Sequence, residues 1–245
     1  MTRYELMRWL TFPIMPVHLR TVRNDIKTLL KSHRKGTSEI SILDVGGRKS
    51  PYSIRIPAQI TLLDIPQEGD IRESLNLGFT SEILNSIRKK RSNIKNLIIE
   101  DMTKSTLPDA SYDAVVCIEV IEHVEEDAVF VKNISKVLGK NGWAYFTTPN
   151  GDFIKNEGPN KNPDHVRHYT RVELQQLLET CFDKVEVHYA VKTGKCRLWG
   201  LKSFKLSRPL TLIRSILGNI INGFQSKGVQ EMSKKTAHLV AIGYK

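Results

Sequence analysis

From residue 40 onward, short apolar runs alternate with longer segments whose apolar residues recur at helical spacing. Parallel strands must be joined by crossovers, so this alternation predicts a parallel sheet covered by helices on both faces. The runs are ISILDV (40–45), QITLLDI (59–65), NLIIED (96–101), YDAVVCI (112–118), WAYFTTP (143–149), KVEVHYA (184–190) and AHLVAIGY (237–244). Seven such strands predict an open α/β sheet.

The intervening helices carry their own punctuation. In EEDAVFVKNISKVLGKNG, three acids open a helix, Phe130, Val131, Ile134, Val137 and Leu138 make one stripe, and Gly139 closes it. In TRVELQQLLET, Thr170 and Glu173 predict a capping box. Asn141 and Gly142 provide a tight turn into the fifth strand. Four segments follow: a helical cap at 1–37, a core at 38–191, a basic amphipathic insertion at 192–235, and the final strand at 236–245.

With 245 residues, 40% of them hydrophobic, the chain has material for one ordinary domain with appendages. Cys117, Cys181 and Cys196 are widely spaced, with no CxxC, which predicts neither a disulfide framework nor a thiolate zinc site, and a reducing, cytoplasmic setting. The N-terminal stretch is interrupted by two prolines and does not read as a signal peptide. No window approaches the ~18 consecutive apolar residues of a membrane span. The expectation is a soluble or peripherally attached protein. The net charge of +11 suggests a polyanionic partner, either nucleic acid or an anionic membrane surface.

In open α/β sheets, ligands lie beyond the carboxyl ends of the strands. After the first strand, Gly46 and Gly47 permit close backbone approach and a sharp turn. The second run delivers Asp64 about twenty residues later, the spacing at which a carboxylate accepts both ribose hydroxyls. The third ends in Asp101, placed to accept from an adenine amino group. Together these predict an adenosine-bearing ligand. A dehydrogenase would instead open on GxGxxG.

The successive phrases ILDVGG, LLDI, IIEDM, LPDASYDAVVCIEVIEHV and YFTTPN resemble, in order and spacing, the class I S-adenosylmethionine-dependent methyltransferases, over roughly residues 38–190 plus the final strand. The resemblance implies a Rossmann-like seven-stranded open sheet, mostly parallel with the last strand antiparallel. It implies that Asp44, Gly46 and Gly47 line the methionine part of S-adenosylmethionine, Asp64 its ribose, and Asp101 with Met102 its adenine. Ile65 and Cys117 complete the expected cofactor set. Where the family commonly continues with two further glycines, this chain has Arg48 and Ser50, and Arg48 either meets the cofactor carboxylate or points to solvent.

The fourth strand empties into VVCIEVIEHVEED, where Glu119, Glu122 and His123 stand at i, i+3 and i+4 and share a face if the chain turns helical. Methyl transfer from a sulfonium needs an aligned acceptor and a group to take its proton. An imidazole, with an unperturbed pKa of about 6.5, suits that role, which makes His123, oriented by Glu122, the candidate catalytic pair. ExxEH followed by a histidine in a loop also resembles small-RNA terminal 2′-O-methyltransferases and ubiquinone-pathway O-methyltransferases. That resemblance implies a divalent cation, Mg²⁺, Mn²⁺ or Zn²⁺, on Glu119, Glu122, His123 and His165, with His168 the second choice for the last ligand. A purely structural role for the cluster is the third alternative. His18, His33, His188 and His238 carry no pattern and are expected at the surface or in packing.

The segment 192–235 holds ten Lys or Arg residues against Glu231 alone. Within it, Ile213, Ile216, Leu217, Ile220, Ile221 and Phe224 form a helical stripe. That helix either packs on the sheet as a lid or lies at a membrane surface, with Trp199 and Phe204 at the interface. Leu and Ile dominate where RNA binding would call for exposed aromatics, which favours O-methylation of a small-molecule, sugar or lipid-linked acceptor. RNA methylation is the runner-up, and an inactive cofactor-binding scaffold is a third class.

Overall fold

The computed structural model describes residues 1–33, 39–47, 50–66, 78–202 and 208–245. Arg48, Phe204 and Lys205 lie outside the described residues. The described helices are α1 (Arg3–Thr11), α2 (Val17–His33), α3 (Ser81–Lys90), α4 (Asp127–Val137), α5 (Arg171–Glu179), α6 (Lys195–Gly200) and α7 (Pro209–Gln225). The strands are β1 (Ile40–Val45), β2 (Ala58–Asp64), β3 (Ile94–Ile99), β4 (Tyr112–Ile118), β5 (Leu138–Pro149), β6 (Lys184–Lys192) and β7 (Thr236–Tyr244).

These seven strands make one sheet in the order β3-β2-β1-β4-β5-β7-β6. The ladders from β3 to β5 are parallel, whereas β7 is antiparallel to both of its neighbours. The expected architecture is therefore the observed one. The chain winds outward from β1 to β3 and then returns to β4, so a crevice opens between the carboxyl ends of β1 and β4, where a ligand belongs.

Period-two alternation along each strand builds two cores. Leu43, Val115, Cys117 and Phe146 face α4 and α5 in one buried cluster. Their neighbours Ile42, Ala114, Val116 and Tyr145 face the opposite way and pack against Val22, Ile26 and Leu29 of α2. Burying each large apolar side chain contributes roughly 1.5–3 kcal/mol, so α2 covers the sheet as an integral layer and is more than a terminal cap.

Some boundaries differ from expectation. Helix α4 stops at Val137, and Leu138 is already extended and paired with Tyr112, so Gly139 lies within β5 and does not close the helix. Asn141 (φ +63°) and Gly142 form a bulge there, since the register jumps from Leu138 to Trp143 against β4. Strand β3 ends at Ile99, which leaves Asp101 as the cap of the following 3-10 turn, where it accepts from the Thr103 N–H. The Thr170–Glu173 capping box is present, as expected. No described helix is long and apolar enough to cross a membrane.

Candidate active site

A cavity of about 440 Å³ lies at the carboxyl ends of β1 to β4, and Gly46, Asp64, Ile65, Asp101, Met102 and His123 are all in its wall. A larger cleft of about 560 Å³ beside α1 and α3 carries none of these groups. The glycine turn is sterically required. Gly46 has φ +70°, and a Cβ there would stand 2.4 Å from Val120 Cγ2 at the end of β4. A Cβ on Gly47 would stand 2.7 Å from Asp44 Cγ.

Asp44 therefore sits under the turn, almost fully buried, with Oδ1 accepting from the Tyr52 hydroxyl at 2.8 Å and Oδ2 without a hydrogen-bond partner among the described residues. Burial pushes its carboxyl up to about 6, against the neighbouring Ser50 and Tyr52 hydroxyls and the charge of Arg91. Asp64 accepts from the Ile65 N–H at 2.9 Å, and Asp101 accepts from both the N–H and the hydroxyl of Thr103. The Asn133 amide donates to the carbonyls of Met102 and Thr103, which fixes the loop that carries Asp101 and Met102. Cys117 is a correction: on β4 it is fully buried among core side chains, so its thiol packs the sheet and is not in the cavity wall.

The acidic segment after β4 does not become a regular helix. Glu119 adopts a left-handed backbone (φ +53°), and only Ile121–His123 form a 3-10 turn. The i, i+3, i+4 face is thereby broken, and the expected four-ligand set divides. Glu122, His123 and His165 each offer a ligand atom within 4.8 Å of the others, while Glu119 joins His18 and His238 in a second group.

In the first group the ring protons are fixed by acceptors. His123 Nδ1 donates to the Asp164 carbonyl at 2.8 Å, and His168 Nδ1 donates to the Ile154 carbonyl at 2.6 Å. His168 Nε2 then accepts from His165 Nδ1 at 2.7 Å. His123 and His165 are both left with Nε2 as a lone pair, their rings 4.7 Å apart and edge to face. Burial, then His123 and His168, lower His165 to about 4. Glu122 is fully buried, and neither carboxyl oxygen has a hydrogen-bond partner among the described residues. Burial and then the Glu119 charge push it well above the ordinary carboxylate range.

The second group was not legible from spacing. Glu119 Oε1 accepts from the Thr147 hydroxyl at 2.9 Å and from His238 Nδ1 at 3.2 Å, and His18 Nε2 lies 3.9 Å away. Arg197 can only donate, so His238 Nε2 accepts from it at 3.1 Å and the ring proton sits on the Glu119 side. Burial pushes the Glu119 carboxyl up, but His238, His18 and the Thr147 hydroxyl outweigh it and hold the group below the ordinary range. His18 stacks on His238 at 4.1 Å, and burial, His238 and Arg197 bring it down to about 3 against the opposing Glu119 charge, so it is a neutral ring. His18, Arg197 and His238 line a second cavity of about 230 Å³ between α2, α6, α7 and β7. One sequence signal pointed there. In an antiparallel last strand the first residues, here His238, arrive at the ligand-bearing edge, opposite Pro149.

Comparison with known proteins agrees with this geometry. A family described as a methyltransferase domain matches residues 18–181, starting inside α2. A probable S-adenosylmethionine-dependent methyltransferase of Mycolicibacterium smegmatis is 39% identical over 87 residues, 35% of this chain and 34% of that protein. The ubiquinone biosynthesis O-methyltransferase of Rickettsia bellii is 26% identical over 188 residues, 71% of this chain and 72% of that one. Among solved structures, a SAM-dependent methyltransferase from Archaeoglobus fulgidus superposes with a TM-score of 0.55 at 15% identity, over 91% of this chain and 94% of its own. With Gly46, Asp64 and Asp101 around one cavity at the strand ends and a family match over residues 18–181, the chain is an enzyme of the class I S-adenosylmethionine-dependent methyltransferases.

Proposed function

We propose that the enzyme transfers the methyl group of S-adenosylmethionine to a hydroxyl oxygen of a small-molecule, sugar or lipid-linked acceptor, with His123 taking the proton. One observation carries this: His123 stands in the wall of the cofactor cavity with its Nδ1 proton committed to Asp164, so Nε2 is a lone pair beside the chemistry. In the step, the oxygen–methyl bond forms as the methyl–sulfur bond breaks, and the hydroxyl proton passes to Nε2. S-adenosylhomocysteine leaves as a neutral thioether. Glu122, against the same turn, is the proposed second member of the pair. The adjacent 230 Å³ cavity offers the acceptor a largely apolar chamber next to Glu119, the residue that precedes Val120 of the cofactor wall. The Rickettsia relatives, named for O-methylation in ubiquinone biosynthesis, support oxygen as the target atom. The proposed place of action is the cytoplasm, at or near a membrane surface.

A second reading is favoured by Glu122, whose two buried carboxyl oxygens have no hydrogen-bond partner among the described residues. Glu122, His123 and His165 fit a divalent cation, because both imidazoles have their other ring nitrogen held by an acceptor, the arrangement that orients a ligating histidine. Such an ion, Mg²⁺, Mn²⁺ or Zn²⁺, would supply Lewis-acid polarisation of the acceptor oxygen there.

Transfer of labelled methyl from the cofactor into matched pools of lipid extract, glycan and RNA tests both readings. Label in the lipid or glycan pool, lost by roughly 10²–10⁴-fold in His123→Ala with S-adenosylhomocysteine binding intact, is the expected result. Activity that survives chelation sets the cation aside. Label in RNA alone moves the substrate to the runner-up class, and full activity of His123→Ala removes that histidine from the chemistry.

A further inference from the structure

Helix α7 is built inside out for a helix of a water-soluble domain. The residues it buries are Ser215, Gly218, Asn219 and Asn222. On the opposite face, Leu210, Ile213, Leu217, Ile221 and Phe224 are between 42% and 83% exposed, and they recur at helical spacing as one stripe. Leu198 and Leu201, on and just after the neighbouring α6, are also more than half exposed.

The inward face explains why this is stable. The Asn219 amide donates to the carbonyls of Ile14 and Gly200, Asn222 to that of Lys192, and Ser215 to those of Gly200 and Lys202, while Arg20 donates to the Asn219 carbonyl. Gly218 admits close approach, since a Cβ there would stand 2.7 Å from the Cys196 carbonyl. Polar anchoring to α6, α2 and the chain before it holds α7 in place without its apolar stripe. That stripe is left for something other than the core.

The charges around it select the occupant. Arg214 lies over the Trp199 ring at 4.1 Å and Lys227 over Phe224 at 5.1 Å, and Lys202 and Arg208 are exposed on either side of the segment that joins α6 to α7. The single acid in the insertion, Glu231, is paired with Arg171 at 2.5 Å. A two-fold contact between copies would set this cationic rim against itself, on a chain already at +11, so a second copy is a poor match. We propose that the exposed face of α6 and α7 docks on an anionic lipid bilayer, with the Leu, Ile and Phe stripe entering the interfacial region and the Lys and Arg rim meeting headgroup phosphates. This holds independently of which acceptor the enzyme methylates.

Sedimentation of the full chain with phosphatidylcholine vesicles, alone or mixed with phosphatidylglycerol, tests the proposal. Binding should be roughly ten-fold or more stronger to the anionic vesicles and fall as salt rises. Leu217→Glu with Phe224→Glu should abolish it, and Arg214→Gln with Lys227→Gln should weaken it roughly ten-fold or more. All of these positions are exposed, so S-adenosylhomocysteine binding should stay at the wild-type value and report an intact fold. Equal indifference to both vesicle types, or vesicle binding unchanged by the Leu217 and Phe224 changes, would overturn the proposal. So would a concentration-dependent dimer that those changes dissolve while vesicle binding is absent.

Discussion

Replacing Asp44 by asparagine should make the cofactor-free protein more stable at neutral pH and a weaker cofactor binder. The buried carboxyl is pushed up to about 6, and the difference from an ordinary aspartate near 3.9 corresponds to about 3 kcal/mol. Because the folded-state value is raised, the group contributes most below pH ~4, where both states hold the proton, and that contribution is lost as pH rises toward and through 6. Above that range the ionised carboxylate is a standing cost. Asparagine keeps the acceptor for Tyr52 but places an amide N–H where Oδ2 has no partner among the described residues. After about 1 kcal/mol or more for that unmet donor, a net gain of up to about 2 kcal/mol remains at pH 7. Urea denaturation of both proteins from pH 4 to 8 measures it, and the difference between the two curves isolates Asp44 from every other titrating group. Calorimetry with S-adenosylhomocysteine near pH 6, in buffers of different ionisation enthalpy, should show proton release on binding in the wild type only, as the ligand ammonium draws Asp44 into its charged form. A stability difference that does not change between pH 4 and 7 would refute the assignment of a proton to buried Asp44, and identical affinities would refute its place under the methionine end.

Asp64→Ala should weaken S-adenosylhomocysteine binding by roughly 1.5–3 kcal/mol if its carboxylate accepts charge-assisted bonds from the ribose, and an unchanged calorimetric Kd would take Asp64 out of the site. Gly46→Ala places a Cβ 2.4 Å from Val120 Cγ2 at φ +70°, so it should destabilise the fold by about 1–3 kcal/mol and reduce cofactor affinity together. Thermal unfolding with and without ligand separates the two effects, and wild-type behaviour in both would mean the turn relaxes freely.

The sheet and the grouping of residues at its carboxyl edge were open to reading because their information is local. A strand declares itself by a run of apolar residues, and the residues at its end are carried to the carboxyl edge whatever else the chain does, which is why Gly46, Asp64 and Asp101 line one cavity. Cys117, expected in the cofactor set, instead shares the face of β4 on which Val115 is buried in the core. The Glu119, Glu122 and His123 face failed for a related reason: a single left-handed residue, Glu119, breaks the helical spacing, and nothing in the local pattern announces it.

What the sequence by itself determined is therefore the order of the strands' contents: the α/β class, the cofactor turn, and the acids at the strand ends. Only the tertiary structure decided which ionisable groups meet. Glu119 and His238 are 119 residues apart, and they touch because β7 inserts antiparallel between β5 and β6 and presents its first residues to the carboxyl edge. His18 reaches the same point because α2 spends its apolar side on the sheet, and α7 turns its Leu and Ile stripe outward because Asn219, Asn222 and Ser215 find backbone carbonyls inward. Hydrophobic periodicity fixes that a helix has two faces; which face is buried depends on the partners that long-range packing brings, and those partners are not written in the helix itself.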